Sequence, residues 1–297
     1  MDRITSLPLK SSTALGVLSG VGAALCWALG LVAARHGISA GLSPLVIGLH
    51  RFVWPGLALL PVLAARGFSD LGGIGWRRGF ALALFGGLPP ALLAYAGFLF
   101  VPLGHGGVIQ PSCGALGGLV LARLVLKEPL PLRRVIGALA IVLGLCTIGA
   151  EALRTMGGHG IGGDLLFAAA GGAFAVFGML VRMWRVAATP AMAITSVLSL
   201  LGVPILLVFT FDNLAAAGFF ENLLQAAVQG VLAGAAATFF FTRAVVLLGA
   251  GRAVLFPSLV PPFTLLLGFL VLGEMPSVSQ LIGLVMVVVG FRLTQKG

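Results

Sequence analysis

The chain has 297 residues, 59% of them hydrophobic and only 9% charged, and its mean hydropathy is +1.14. Soluble domains carry about 25% charged residues, so a water-facing surface is excluded and a polytopic membrane protein is expected. The net charge of +10 does not imply a nucleic-acid partner, because the basic residues are scattered through short loops and form no basic run of the length such patches need.

About 20 apolar residues are needed to cross the hydrocarbon core as a helix. Apolar runs between charges and Gly/Pro punctuation predict ten spans, at roughly 13–34, 43–65, 79–101, 105–126, 132–150, 161–181, 190–211, 222–247, 253–273 and 277–294. The first follows Arg3 and Lys10 and is too long for a signal-peptide core, so it is read as an uncleaved helix. It holds Trp27 near its middle and a Gly16/Gly20 pair at the GxxxG spacing that suits close helix packing. The second carries His50 and Arg51 inside the apolar run, where ionisable side chains are expensive. No Asp or Glu lies deep in any span to pair with Arg51, so Arg51 is expected to reach helix-end carbonyls or a wet cavity. His50 is either a group that titrates near neutrality or a neutral, hydrogen-bonded core histidine.

The third span contains Pro89-Pro90 and Tyr95, the single tyrosine. The fourth has Gln110 ahead of Pro111 and ends near Arg123, which can snorkel to the surface, and Glu128, expected to cap or hydrogen-bond the next helix. Gly137 and Gly144 share one face of the fifth, Phe174 lies in the sixth and Phe241 in the eighth. The ninth holds Phe256, Pro257, Pro261 and Pro262, and the tenth holds Gly283 and Gly290. Cys26, Cys113 and Cys146 fall in apolar stretches without metal-ligand spacing, so neither metal nor cofactor is expected.

The chain repeats itself at an offset of 146: Val108, Pro111, Ser112, Leu126, Glu128, Gly137 and Gly144 match Val254, Pro257, Ser258, Leu272, Glu274, Gly283 and Gly290. The predicted halves are 1–151 and 152–297, with five spans each. Five is odd, so the second half is expected to enter the membrane upside down. The charges agree. With the N-terminus inside, fourteen Lys and Arg fall on the inner side (Arg3, Lys10, Arg66, Arg77, Arg78, Lys127, Arg133, Arg134, Arg182, Arg185, Arg243, Arg252, Arg292 and Lys296) and two, Arg35 and Arg154, on the outer side. Lys127, Arg133 and Arg134 become Gly273, Ser279 and Gln280 in the second copy, because the copied loop faces the other way. Both termini are expected to be cytoplasmic.

Inverted repeats are a common design of secondary transporters, with the substrate site at the interface between the halves. Proline frees carbonyls and kinks helices, so Pro89, Pro90, Pro111, Pro257 and Pro261 are candidate kink or gating positions. Candidate substrate contacts are Trp27, His50, Tyr95, Gln110, Phe174, Phe241 and Phe256; at the repeat offset Tyr95 maps onto Phe241 and Gln110 onto Phe256, while Trp27 maps onto Phe174 at an offset of 147. A mostly apolar, aromatic site with a few polar groups suits amphipathic metabolites. An enzyme would need an acid–base pair, a nucleophile or metal ligands within reach, and the four histidines, His36, His50, His105 and His159, are scattered. A phosphorylated substrate would need several buried cations, and a channel would show a charge ring or filter. A quaternary amine would find aromatic rings here but no deep carboxylate.

Ten spans in five-plus-five, Trp27, Arg51 and the paired endings "PSCGALGGLVLARLVLKEPL" and "PSLVPPFTLLLGFLVLGEMP" resemble the EamA-type branch of the drug/metabolite transporter superfamily. The resemblance covers the whole chain and is most similar in character to bacterial amino-acid exporters, aromatic amino-acid exporters among them. It implies an all-α fold of two inverted five-helix repeats around a central cavity, with spans 5 and 10 packed outside it, and a structural role for Arg51. It implies export of amino acids or similar small metabolites across the bacterial inner membrane, with drugs or quaternary amines and proton coupling as alternatives; the partners are then a small-molecule substrate and the lipid bilayer.

Overall fold

The computed structural model describes residues 9–97, 100, 103–150, 161–272 and 275–295, and every regular element among them is helical. Helix α1 (Leu9–Ser39) runs five residues past the expected end. Helix α2 (Pro44–Ala65) starts where Ser43, as N-cap, accepts from the Val46 N–H and Pro44 takes a position that needs no donor. Asn213 fastens this α1–α2 turn: its Oδ1 accepts from Ser43 N at 2.6 Å and its Nδ2 donates to Gly41 O at 2.8 Å.

The next span is two helices, α3 (Trp76–Gly86) and α4 (Leu88–Gly97), broken at Gly87. Pro89 and Pro90 have no N–H to offer, so the restart leaves the Leu88 N–H as the donor in need of a partner. Ser199 Oγ accepts it at 3.0 Å and donates to Thr195 O at 2.6 Å. Helices α5 (Leu103–Leu124) and α6 (Leu132–Ile148) complete the first half.

The second half begins with α7 (Gly162–Met183), followed by α8 (Ala188–Ser199) and α9 (Val203–Ala216). The following span joins α10 (Gly218–Gln225), a π-helix over Ala226–Ala236 and α11 (Ala237–Leu248). It corresponds, at the repeat offset, to the broken α3–α4 span, so both copies are irregular there. The last spans are α12 (Ala250–Ala253), a 3-10 turn at Phe256–Leu259 and α13 (Val260–Leu272), then α14 (Val278–Gln295). The expected run 253–273 therefore starts with a turn at Pro257 rather than a continuous helix.

Seven segments among the described residues are long and apolar enough to cross a membrane: Thr13–Ile38, Pro44–Ala65, Trp76–Gly97, Gly162–Met183, Ala188–Ala216, Gly218–Leu248 and Ala250–Leu270; Val278–Thr294 is a shorter apolar helix. Their outer faces carry bare apolar side chains such as Leu18, Val208 and Phe220, which water would not tolerate over so wide an area and lipid does. This is a multi-pass membrane protein.

The halves pack through matched pairs. Helix α1 lies on α11 and the π-helix as α7 lies on α3 and α4; α13 lies on α1 as α5 lies on α7; α2 lies on α8 and α9. The closest pairing joins α6 to α14. A Cβ on Gly137 would stand 2.5 Å from Gly290 O, and one on Gly144 would stand 2.8 Å from Gly283 O. The helices therefore run antiparallel with backbone against backbone, as the glycine faces required. Gly16 and Gly20 also serve packing, but against the Leu248 side chain and the Phe256 ring rather than another backbone. The main core gathers Leu119, Ile141, Phe177, Phe241 and Phe256, all buried.

Candidate functional site

Four aromatic rings from three helices meet at the centre of the bundle. Trp27 of α1 meets Phe174 of α7 edge-on, at 5.4 Å between centroids and 79° between planes. Phe241 of α11 lies 5.7 Å from Trp27 and 4.6 Å from Phe174. Phe177 stands 5.7 Å from Phe174 and 6.3 Å from Phe241. Offset and edge-to-face rings add about 0.5–1.5 kcal/mol per pair beyond area burial. Phe177 and Phe241 are fully buried, whereas Trp27 and Phe174 are half-buried. Trp27 lies in the first span of the first half and Phe174 in the first span of the second, one residue from correspondence at the repeat offset of 146.

The remaining candidates lie elsewhere. Tyr95 packs its ring on α2, where a Cβ on Gly48 would come within 2.9 Å of its Cε2. Gln110 presses its main-chain carbonyl onto Gly171, and its side chain is half-buried. Phe256 is fully buried, wedged against Gly20 and 4.8 Å from the Phe291 ring; it packs the 3-10 turn onto α1 and α14. Of the seven candidate contacts, the structure thus brings Trp27, Phe174 and Phe241 together, and adds Phe177, which sequence reading missed because its match at the repeat offset, Leu31, is not aromatic.

His50 is held on both sides. Trp54 Nε1 can only donate, and it lies 2.8 Å from His50 Nδ1, so Nδ1 accepts and the ring is neutral with its proton on Nε2. Nε2 then donates to Asn222 Oδ1 at 3.0 Å; the Asn222 amide donates to Leu214 O and Gly218 O, which fixes the orientation of its oxygen. This is the neutral core histidine of the two readings. Arg51 is half-buried, and its carbonyl lies against Gly234 of the π-helix.

The π-helix is pinned to α1 by two buried amides. Gln229 Nε2 donates to Gly30 O at 2.6 Å and Gln225 Nε2 to Ala33 O at 2.8 Å. Two glutamines at an i, i+4 spacing in an apolar run were a readable signal of this contact.

Glu128 does not cap the next helix. Its Oε2 accepts from Gly251 N at 3.3 Å, and its Oε1 lies 3.5 Å from Arg182 Nε. Lys127 adopts φ 53°, which swings the carboxylate away from α6 and toward the second half. Arg134 is buried and donates instead to Pro129 O at 2.9 Å. Glu274, the other repeat glutamate, lies outside the described residues. Pro89, Pro90, Pro257 and Pro261 sit at the breaks described above, and Pro111 lies within α5. No group of His, Cys, Asp and Glu that could hold a metal is found among the described residues.

Among the cavities that open from the surface of the described residues, two bear on these groups. One, of about 530 Å³, is lined by Val125, Leu126, Glu128, Arg182, Met183 and Arg185. The other, of about 380 Å³, is lined by residues that include His50, Trp54, Phe211, Phe219 and Asn222. The four central rings line neither of them and are packed against one another.

The EamA-like transporter family matches the sequence twice in tandem, at residues 14–150 and 161–294. The chain belongs to this family. Its two halves are therefore two EamA repeats, and the protein is a membrane transporter of small molecules. No curated protein matches the sequence. A crystal structure described only as that of a protein is similar in fold to this transporter, with a TM-score of 0.73 and 17% identity over 97% of this chain and 98% of the other.

Proposed function

We propose that this transporter exports small metabolites, amino acids with apolar and aromatic side chains first among them, across the bacterial inner membrane by alternating access. The observation that carries the proposal is the Trp27–Phe174 contact at 5.4 Å between the first helices of the two halves, at positions one residue from correspondence. In this reading ten spans form two inverted repeats, 1–151 and 152–297, with both termini cytoplasmic. The antiparallel pairing of Gly137 with Gly290 and Gly144 with Gly283 supports the inversion, since a two-fold between inverted copies brings equivalent helices together head to tail. A pseudo-two-fold axis then passes through the Trp27–Phe174 contact. A substrate there is equally close to both faces, and exchanging the conformations of the halves exposes it first to one side and then to the other.

The substrate class follows from the walls. Trp27, Phe174, Phe177 and Phe241 offer rings and no charge, which suits an apolar or aromatic side chain. The same rings would accept a quaternary amine through cation–π attraction, and that is the second reading. His50 is neutral and doubly bonded, so the transporter is read as driven by the substrate's own gradient rather than by protons.

Proteoliposomes holding the purified protein, supplied with labelled phenylalanine, threonine and a quaternary amine at zero and imposed pH gradient, test this. The amino acids are expected to equilibrate without a gradient. Movement of the amine alone would replace the substrate class, and movement only under a pH gradient would overturn the gradient-free reading.

A further inference from the structure

The larger cavity has a composition that the central rings lack. It lies where the ends of α5 and α7 meet, which is the cytoplasmic face if the charge asymmetry orients the chain. Arg182 and Arg185 bring two guanidinium groups, Glu128 brings one carboxylate, and Val125, Leu126 and Met183 form an apolar wall. Glu128 Oε1 accepts no hydrogen bond among the described residues; its contact with Arg182 Nε is 3.5 Å, an ion pair without a short bond. That oxygen is buried and retains acceptor capacity, so a guest ammonium reaches it by displacing the Arg182 side chain. Val125 and Met183 are 47% and 43% exposed, so their apolar surface is open to a guest.

The backbone adds a second observation. Among the described residues, Lys127 and Arg185 are two of the three non-glycine residues with positive φ, at 53° and 52°. Glycine is the residue that fits such a conformation at a helix end, yet the chain places basic residues at both loops of this mouth and accepts the strain. Strain of this kind gathers where side chains must be aimed. Arg185 ends α7 and Lys127 aims Glu128, and both act on the same cavity.

We propose that this mouth is a loading site for zwitterions: Arg185 and Arg182 take a carboxylate, Glu128 Oε1 takes a primary ammonium, and the Val125–Leu126–Met183 wall takes an apolar side chain. The inference rests on the amino-acid reading above and deepens it, because the central rings read the side chain and the mouth reads the α-amino-acid head. It also gives Glu128 a reason to sit between the halves: loading there engages the carboxylate that joins the α5–α6 loop to Gly251 and Arg182.

Binding to the full chain in detergent, by titration calorimetry, tests it with four probes: phenylalanine, phenethylamine, 3-phenylpropionate and phosphoethanolamine. Charge-assisted hydrogen bonds at a partly exposed site make Arg185→Gln weaken phenylalanine by about tenfold and leave phenethylamine, which has no carboxylate, unaffected. Glu128→Gln is expected to weaken phenylalanine and leave 3-phenylpropionate, which has no ammonium, unaffected. Arg185 is exposed, so its substitution leaves the fold intact and keeps the test decisive if Glu128→Gln misfolds. If both variants weaken every probe alike, or none, the loading site is overturned. Phosphoethanolamine binding in place of phenylalanine would assign the mouth to a lipid head and overturn it too. Should phenylalanine be transported while neither variant alters its affinity, this inference alone falls; should phenylalanine neither bind nor move, the amino-acid reading falls with it.

Discussion

Trp27 meets Phe174 edge to face at 5.4 Å, and the two lie in corresponding helices of the two halves, within one residue of each other at the repeat offset. Phe241 closes on both rings, at 5.7 Å and 4.6 Å. In this arrangement the rings pack on one another, and in the proposed mechanism substrate separates them.

Trp27→Ala is expected to raise the phenylalanine KM about tenfold or more in proteoliposome uptake, because it removes one wall of the site and an aromatic pair worth about 0.5–1.5 kcal/mol on top of the buried area. Trp27→Phe should restore most of the affinity. Equal loss in both variants would place Trp27 in the scaffold.

Gly144→Leu is expected to lower thermal stability in detergent. The side chain would have to start 2.8 Å from Gly283 O, and overpacking of this kind costs about 1–3 kcal/mol. Gly172→Ala is the control: nothing lies within 4 Å of its added Cβ, and the change from glycine favours the helix by up to about 1 kcal/mol. Melting curves of the two variants should move in opposite directions.

Ser199→Ala is expected to destabilise by about 1–3 kcal/mol, the cost of a buried N–H left without an acceptor. The donor is Leu88 N, 3.0 Å from Ser199 Oγ. Ser199→Cys, which keeps a weak acceptor, should fall between. A Ser199→Ala melting point equal to the parent's would mean that water or a shifted carbonyl satisfies Leu88.

These three sites differ in how much of them could be read in the sequence. The glycine faces of α6 and α14 were legible because Gly137/Gly144 and Gly283/Gly290 repeat at one offset, and small residues at one face have few uses in a membrane. Pro89-Pro90 announced an interruption, but not its partner: Ser199 is 111 residues away, and no local pattern links a serine to a distant N–H. The π-helix at Ala226–Ala236 has no proline to announce it. Glu128 was legible as a helix-end group, while its reach to Gly251 depends on the left-handed Lys127. The aromatic cluster was half legible, since Trp27 falls within one residue of Phe174 at the repeat offset, yet the same offset pairs Gln110 with Phe256, which lies in the core.

His50→Leu is expected to leave phenylalanine equilibration independent of an imposed pH gradient, as in the parent, while lowering the melting point through loss of the Trp54 and Asn222 bonds. Those two neutral hydrogen bonds are worth about 0.5–1.5 kcal/mol each. If the parent responds to the gradient and the variant does not, His50 carries protons.

The central claim is that one aromatic site between the halves is visited from both sides of the membrane. Cys26, Cys113 and Cys146 are free and are removed by substitution with alanine; a single cysteine is then placed by Phe174→Cys. Membrane-impermeant thiol reagent is applied from each side of oriented vesicles, with and without phenylalanine. The account predicts labelling from either side, slowed by phenylalanine in both cases. Labelling from one side only, or labelling that phenylalanine leaves unchanged, would contradict it.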